Sequence, residues 1–172
     1  MDTLQDFQDD RGKLRDNAIE NSILSKGWIN LYWNEDVINY DIELLKSKNY
    51  KVENFDCNIL TEIKQLHTEL KNRLDFPHYY GHNFDALNDC LSSDLVIDEN
   101  GLVIVFRHID KFDNKTIHTL LDVFVSNARQ HFIFGRKLLI LVQVDNPNFI
   151  LEPVGAIGVY WNDKEWANSA RH

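Results

Sequence analysis

Two short apolar runs, Leu102-Val103-Ile104-Val105-Phe106 and Leu138-Leu139-Ile140-Leu141-Val142, constrain the fold more than any other feature of the chain. Both are continuous rather than alternating and rich in branched residues, as in strands covered on both faces. Between them Ile117, Leu120, Leu121, Phe124 and Ala128 follow helical spacing. Helices separating buried strands predict an α/β fold with a small parallel sheet.

The rest of the pattern extends this reading. Gly27 to Trp33 alternates like a strand, and Val37, Tyr40, Asp41, Leu44 and Leu45 predict a helix ending near Lys46, Lys48 and Asn49. Val52 to Phe55 is a short strand candidate. Apolar residues at 60, 63, 66, 70 and 74 predict an amphipathic helix that Pro77 stops. A shorter helix follows the Tyr80-Gly81 turn, with Asn83 as its cap. The first 20 or so residues, poor in large apolar side chains, are expected to fray. Ile157 to Trp161 reads as an added edge strand whose partner the local pattern leaves open, and Trp28, Trp33, Trp161 and Trp166 are expected to cover the core.

Composition decides what such a domain avoids. The 172 residues carry 18 Lys and Arg against 27 Asp and Glu, a net charge of -9, which repels phosphate backbones and anionic lipid and favours basic partners. Direct nucleic-acid or membrane binding is therefore not expected. The opening sequence lacks the basic start and apolar run of a secretory signal, so a cytoplasmic location is expected. No apolar stretch is long enough to span a bilayer. Cys57 and Cys90 could make at most one disulfide and read more simply as small buried residues.

The charge is concentrated. From Leu74 to Phe106 there is no Lys or Arg, whereas Asp75, Asp85, Asp89, Asp94, Asp98 and Glu99 all fall there. With Asn83 as cap, Phe84, Leu87, Cys90 and Leu91 face the core and Asp85, Asn88, Asp89 and Ser92 face outward. Two like charges one turn apart disfavour the helix slightly. An ordinary solvated face mixes signs; this one keeps a single sign beside an aromatic loop.

Pro77, Tyr79-Tyr80-Gly81, Asn83, Asp85-Ala86-Leu87 and Asp89-Cys90-Leu91, preceded by the amphipathic helix, resemble the barstar-like ribonuclease inhibitors. The resemblance covers roughly 50 to 145 and implies a barstar-like domain at 50–145 with extensions at 1–49 and 146–172, in a single globular unit with three core strands. It implies a cofactor-free, non-catalytic protein, its oligomeric state left open with a monomer favoured, that occludes the active site of a basic ribonuclease toxin and acts as its antitoxin or immunity protein. The implied contact set is Tyr79, Tyr80, Gly81, His82, Asn83, Phe84, Asp85, Asn88, Asp89 and Ser92. Asp89 would stand where the substrate phosphate binds, Asp85 would pair with a neighbouring Arg or Lys, and Tyr79 would stack on catalytic side chains. Gly81 and Asn83 would let the backbone approach. The chemistry is sound from the residues alone, because paired carboxylates match the Arg and Lys that a nuclease uses to hold phosphate.

The sequence departs from the family at Asn88, where a large aromatic is usual, and near Ser126 or Asn127, where an acid is usual. His78 and His82 replace acidic positions, and their protonation in front of a basic cleft would weaken binding. Two alternatives stand beside this reading. One is a metal-dependent hydrolase using Asp85, Asp89, His78 and His82; the other is the same scaffold binding a non-nuclease toxin. His67, in the apolar register of its helix, reads as a partly buried core residue. His108, after a buried strand, falls where parallel sheets bind ligands but has no nucleophile beside it in sequence.

Overall fold

The computed structural model describes residues 19–167. The fraying expected of the first residues lies outside that range up to residue 18, but Ile19 and Ile23 are already buried. In chain order the elements are helix α1 (described from 19 to 25), β1 (Ile29–Tyr32), α2 (Glu35–Ser47), β2 (Lys51–Asp56), α3 (Ile63–Arg73), α4 (Phe84–Ser93), β3 (Leu102–Arg107), α5 (Asn114–Ile133), β4 (Leu138–Gln143) and β5 (Tyr160–Trp161). Short 3-10 turns follow β3 and β5.

All strand pairs are parallel, in the order β2-β3-β4-β1-β5. The three expected strands, β2, β3 and β4, form one side of this sheet. The segments flanking them enlarge it to five strands. A buried β4 with only one neighbour would leave a row of amides unpaired, at a cost of roughly 1–3 kcal/mol each. The β1 segment pairs them: Ile140 donates to the Trp28 carbonyl at 2.8 Å and Val144 to that of Tyr32 at 2.9 Å. The added edge strand pairs with β1, Asn30 opposite Tyr160.

Strict alternation divides the core. Ile29, Leu31, Phe55, Ile104, Phe106, Ile140 and Val142 face α3, α4 and α5, whereas Tyr32, Val103, Val105, Leu139 and Leu141 face α1 and α2. The helix expected from Ile117, Leu120, Leu121, Phe124 and Ala128 is α5, and all five side chains are buried. Phe106 and Phe124 meet edge to face at 5.3 Å, and each buried phenyl contributes roughly 2–3 kcal/mol. Trp28 and Trp161 are half-buried on the first core layer, and Trp33 donates to the Asp145 carbonyl. The side chain of Trp166 lies outside the described residues.

The buried face of α2 differs from expectation. It presents Ile38, Asp41, Ile42 and Leu45, while Tyr40 is exposed. The rotation follows from Asp41, which accepts from the Tyr32 hydroxyl and from Asn162 at 2.9 Å and pairs with Lys164. Lys164 in turn lies over the Tyr40 ring, 4.4 Å from its centre. Glu165, also fully buried, accepts from the backbone amides of Trp33 and Asn34 at the start of α2. The segment after β5 is thus fastened to β1 and α2 by charge-assisted hydrogen bonds.

Candidate partner-binding site

Helix α3 begins at Ile63, later than expected from Leu60, because Glu62 and Gln65 form a capping box there. It ends at Leu74, and the chain turns at Pro77, whose carbonyl accepts from Tyr80. Phe76 and Tyr80 turn inward, with ring centres 5.2 Å apart. The Tyr80 hydroxyl reaches Nδ1 of His67, a buried residue of α3, at 2.5 Å. Burial, and secondarily His82, pushes the His67 pKa down to about 4, so this imidazole is neutral at pH 7. His82 sits in the left-handed region (φ 52°) with Nδ1 2.9 Å from the Tyr80 carbonyl.

This inward anchoring throws Tyr79 outward, 66% exposed. Partial loss of hydration, then the neighbouring Asp94 carboxylate, raises its pKa, so the ring is presented as a neutral phenol. A Cβ at Gly81 would stand 3.2 Å from the Asn83 side-chain nitrogen. That would crowd the cap, whose Oδ1 accepts from the Ala86 amide at 2.8 Å.

On α4, Leu87, Cys90 and Leu91 are buried, whereas Asp85, Asn88, Asp89 and Ser92 are exposed. The outward face expected from sequence is therefore present as one surface. Both cysteines are free and buried, and burial, then Asp94 and Asp89, pushes the Cys90 thiol up to about 11. Among the described residues no Lys or Arg pairs with Asp85 or Asp89. The cations pair elsewhere: Lys51 and Arg73 with Glu53, Lys137 with Glu20, Lys111 with Asp145 and Lys164 with Asp41. Uncompensated carboxylates one turn apart give this surface a field of a single, negative sign.

Helix α5 braces this face. Asn127, a buried residue, donates to Asn88 Oδ1 and to the Val123 carbonyl, both at 2.9 Å. His131 Nε2 lies 2.7 Å from the Leu91 carbonyl, one of the helix-end carbonyls that lack an intrahelical donor. Asn127 and His131 were absent from the sequence-derived contact set. The only sequence signal for His131 is its place in the buried register of α5, four residues after Asn127.

Of the expected contact residues, Tyr79, Gly81, Asn83, Asp85, Asn88, Asp89 and Ser92 are exposed, and His82 and Phe84 are half-buried. Tyr80 is only 3% exposed, so its side chain holds the loop from beneath. The hydrolase alternative required Asp85 and Asp89 to converge with His78 or His82. Among the described residues no three His, Cys, Asp or Glu side chains stand where they could hold a metal. His78 instead lies edge-on to Tyr79. His108 does occupy the strand end, in the left-handed region, with Nδ1 2.7 Å from Asp145 and its amide bonded to Gln143. There it ties β3 to β4.

The family model described as Barstar (barnase inhibitor) matches residues 50–143, more than half of the chain. The chain belongs to the barstar family. The match runs from β2 to the end of β4, so both the Tyr79 loop and the acidic face of α4 lie inside the barstar region. "Putative ribonuclease inhibitor YrdF" of Bacillus subtilis (strain 168) is 63% identical over 30 residues, 17% of this chain and 33% of that protein. The barstar-family chain thus matches a third of that relative's length. Among solved structures, "Structure of Drosophila ORC bound to AT-rich DNA and Cdc6" aligns over 100% of this chain and 67% of the other, at 15% identity and a TM-score of 0.45. A likeness that low carries no argument about fold or function. Among the described residues, no helix is long and apolar enough to cross a membrane.

Proposed function

We propose that this barstar-family protein is a stoichiometric inhibitor of a ribonuclease. It works by laying the Tyr79 loop and the outward face of α4 over the enzyme's basic active site. The observation that carries the reading is the exposed Asp85–Asp89 pair, which no Lys or Arg of the described residues neutralises. A ribonuclease cleft is built to hold phosphate, and a carboxylate held on a rigid helix offers the same acceptors to the same Arg and Lys side chains. Asp89, in the middle of the face, replaces the scissile phosphate; Asp85, one turn earlier, pairs with a flanking cation. Tyr79 supplies the ring that packs against the enzyme. The family description and the YrdF name agree with this reading.

Such a complex forms without cofactor or turnover, one inhibitor to one enzyme. An inhibitor of this kind protects the cytoplasm of a cell that makes a ribonuclease toxin, the antitoxin or immunity role. Opposite fields on the two proteins speed their encounter and set their register. The decisive experiment is a ribonuclease protection assay with the purified full-length protein and barnase as enzyme, read against the molar ratio. Inhibition complete near equivalence, and lost in D89A, is the expected result. Enzyme activity unaffected by excess protein would overturn the reading.

A further inference from the structure

Beyond Ser92, three consecutive large apolar residues end α5 in solvent. Phe132, Ile133 and Phe134 are 45%, 75% and 76% exposed. Helix geometry fans them around the tip. Phe132 turns toward β1, 5.8 Å from the Trp28 ring. Phe134 turns toward α4 and lines, with Ser92, Gln130, His131 and Arg136, a hollow of about 200 Å³. Contiguous exposed apolar side chains of this size are uncommon on a monomer's surface unless a partner covers them.

The contacts between the helices fix where this tip lies relative to the acidic face. Asn88 meets Asn127, Leu91 meets His131, and Ser92 shares the hollow with Phe134. Positions rise together on both helices, so α4 and α5 run side by side in the same direction and end together. The surface therefore continues from Asp85 through Asn88, Asp89 and Ser92 to Phe134. Asn88 on this surface and the buried Leu91 behind it are tied to α5 by hydrogen bonds, so the two patches are held together. The acidic face itself offers carboxylates and small polar groups but no apolar anchor.

We propose that Phe134 and Ile133 are partner-binding residues that extend the ribonuclease interface beyond the acidic face. They pack against an apolar rim next to the enzyme's basic cleft. The proposal rests on the ribonuclease-inhibitor reading and deepens it. The charges steer the encounter, and the apolar tip slows separation, because desolvated aromatic contact acts on dissociation more than on approach.

The test is titration calorimetry and stopped-flow kinetics of the full-length protein with barnase as the probe. The comparison sets wild type against D89A, F134S, I133S/F134S and F134W. F134S is expected to weaken binding about tenfold, mainly through faster dissociation. That loss should persist at about 1 M salt, where the D89A effect shrinks, and F134W should bind like wild type. If D89A weakens binding and both serine variants bind like wild type, this inference falls and the inhibitor reading stands. If wild type does not bind, or D89A binds equally well, the inhibitor reading itself falls and takes the extension with it. A wild-type dimer in sedimentation without enzyme, monomeric in F134S, would give the tip to a second copy and overturn the proposal.

Discussion

The hydroxyl of Tyr80 and Nδ1 of His67 lie 2.5 Å apart, joining α3 to the loop that presents Tyr79. Because burial lowers the His67 pKa from 6.5 to about 4, the contact depends on a neutral imidazole. Above about pH 6.5 folded and unfolded chains both carry it neutral, and His67 adds no pH dependence. Below that the unfolded chain takes up the proton first, so stability is lost as the pH falls from 6.5 toward 4. The loss should be about 2 kcal/mol between pH 7 and 5. Urea unfolding of wild type and H67F at the two pH values checks this. H67F should be weaker at pH 7, since it strands the Tyr80 hydroxyl, but should lack that part of the slope. An H67F profile parallel to wild type would remove His67 as the cause.

Asp85 and Asp89 should trade binding against helix stability. D89A should weaken ribonuclease binding by about 3 kcal/mol and D85A by less, since Asp89 is assigned the central phosphate position. In the free protein the order reverses. D89N relieves like-charge repulsion and should stabilise by a few tenths of a kcal/mol, whereas D85N also gives up a favourable charge in the first turn of α4. Binding isotherms and thermal melts of the same variants test both halves. Equal affinity losses would refute the assignment of Asp89 to the phosphate position.

The acidic face was readable because its determinants are local. An Asn cap, apolar residues at helical spacing and a window without bases all lie within a few residues of Asp85. The same holds for β3 and β4, which are continuous branched apolar runs, and for α5, whose helical periodicity is strong. The partner of β5 was not readable, because Trp161 lies opposite Leu31, far away in the chain, and two residues carry no periodicity. The buried face of α2 was misjudged for a related reason. The expected pattern of Val37, Tyr40, Asp41, Leu44 and Leu45 places Tyr40 inside and omits Ile38 and Ile42, whereas the hydrogen bonds from Tyr32 and Asn162 and the pairing with Lys164 fix Asp41 as the centre of the buried face. The missing acid could be placed only near Ser126 or Asn127, and only the packing of α5 on α4 shows Asn127 holding Asn88.

Asp41 yields a prediction of opposite pH sign. Burial raises its pKa despite Lys164, so the folded chain binds this proton more readily than the unfolded chain. The group therefore costs stability at neutral pH, and the cost disappears as the pH falls through its raised pKa. Replacing Lys164 with Met removes the cation and should destabilise by about 3 kcal/mol at pH 7, with a smaller difference near pH 5. D41N/K164M should recover most of the loss. Denaturant midpoints of the three proteins at both pH values decide it, and a K164M deficit that grows on acidification would contradict the role given to Asp41.

Asn83 links the loop and the acidic helix. Its Oδ1 accepts from Ala86 at 2.8 Å, and its side-chain nitrogen lies 3.3 Å from the Gly81 carbonyl. N83A removes the cap and should cost about 1 kcal/mol. N83D keeps the acceptor and adds negative charge at the helix N-terminus, so its stability should stay close to wild type. The substitutions also separate capping from contact. If Asn83 serves only to start α4, N83D binds ribonuclease at least as tightly as wild type, because its added charge has the sign of the face. If the Asn83 amide itself touches the enzyme, N83D loses affinity while its melting temperature is preserved. Thermal melts and titration calorimetry on the two variants distinguish these outcomes. The expected result is a destabilised N83A and an N83D that keeps wild-type stability but binds more weakly, because Asn83 is exposed beside Gly81 on the contact surface.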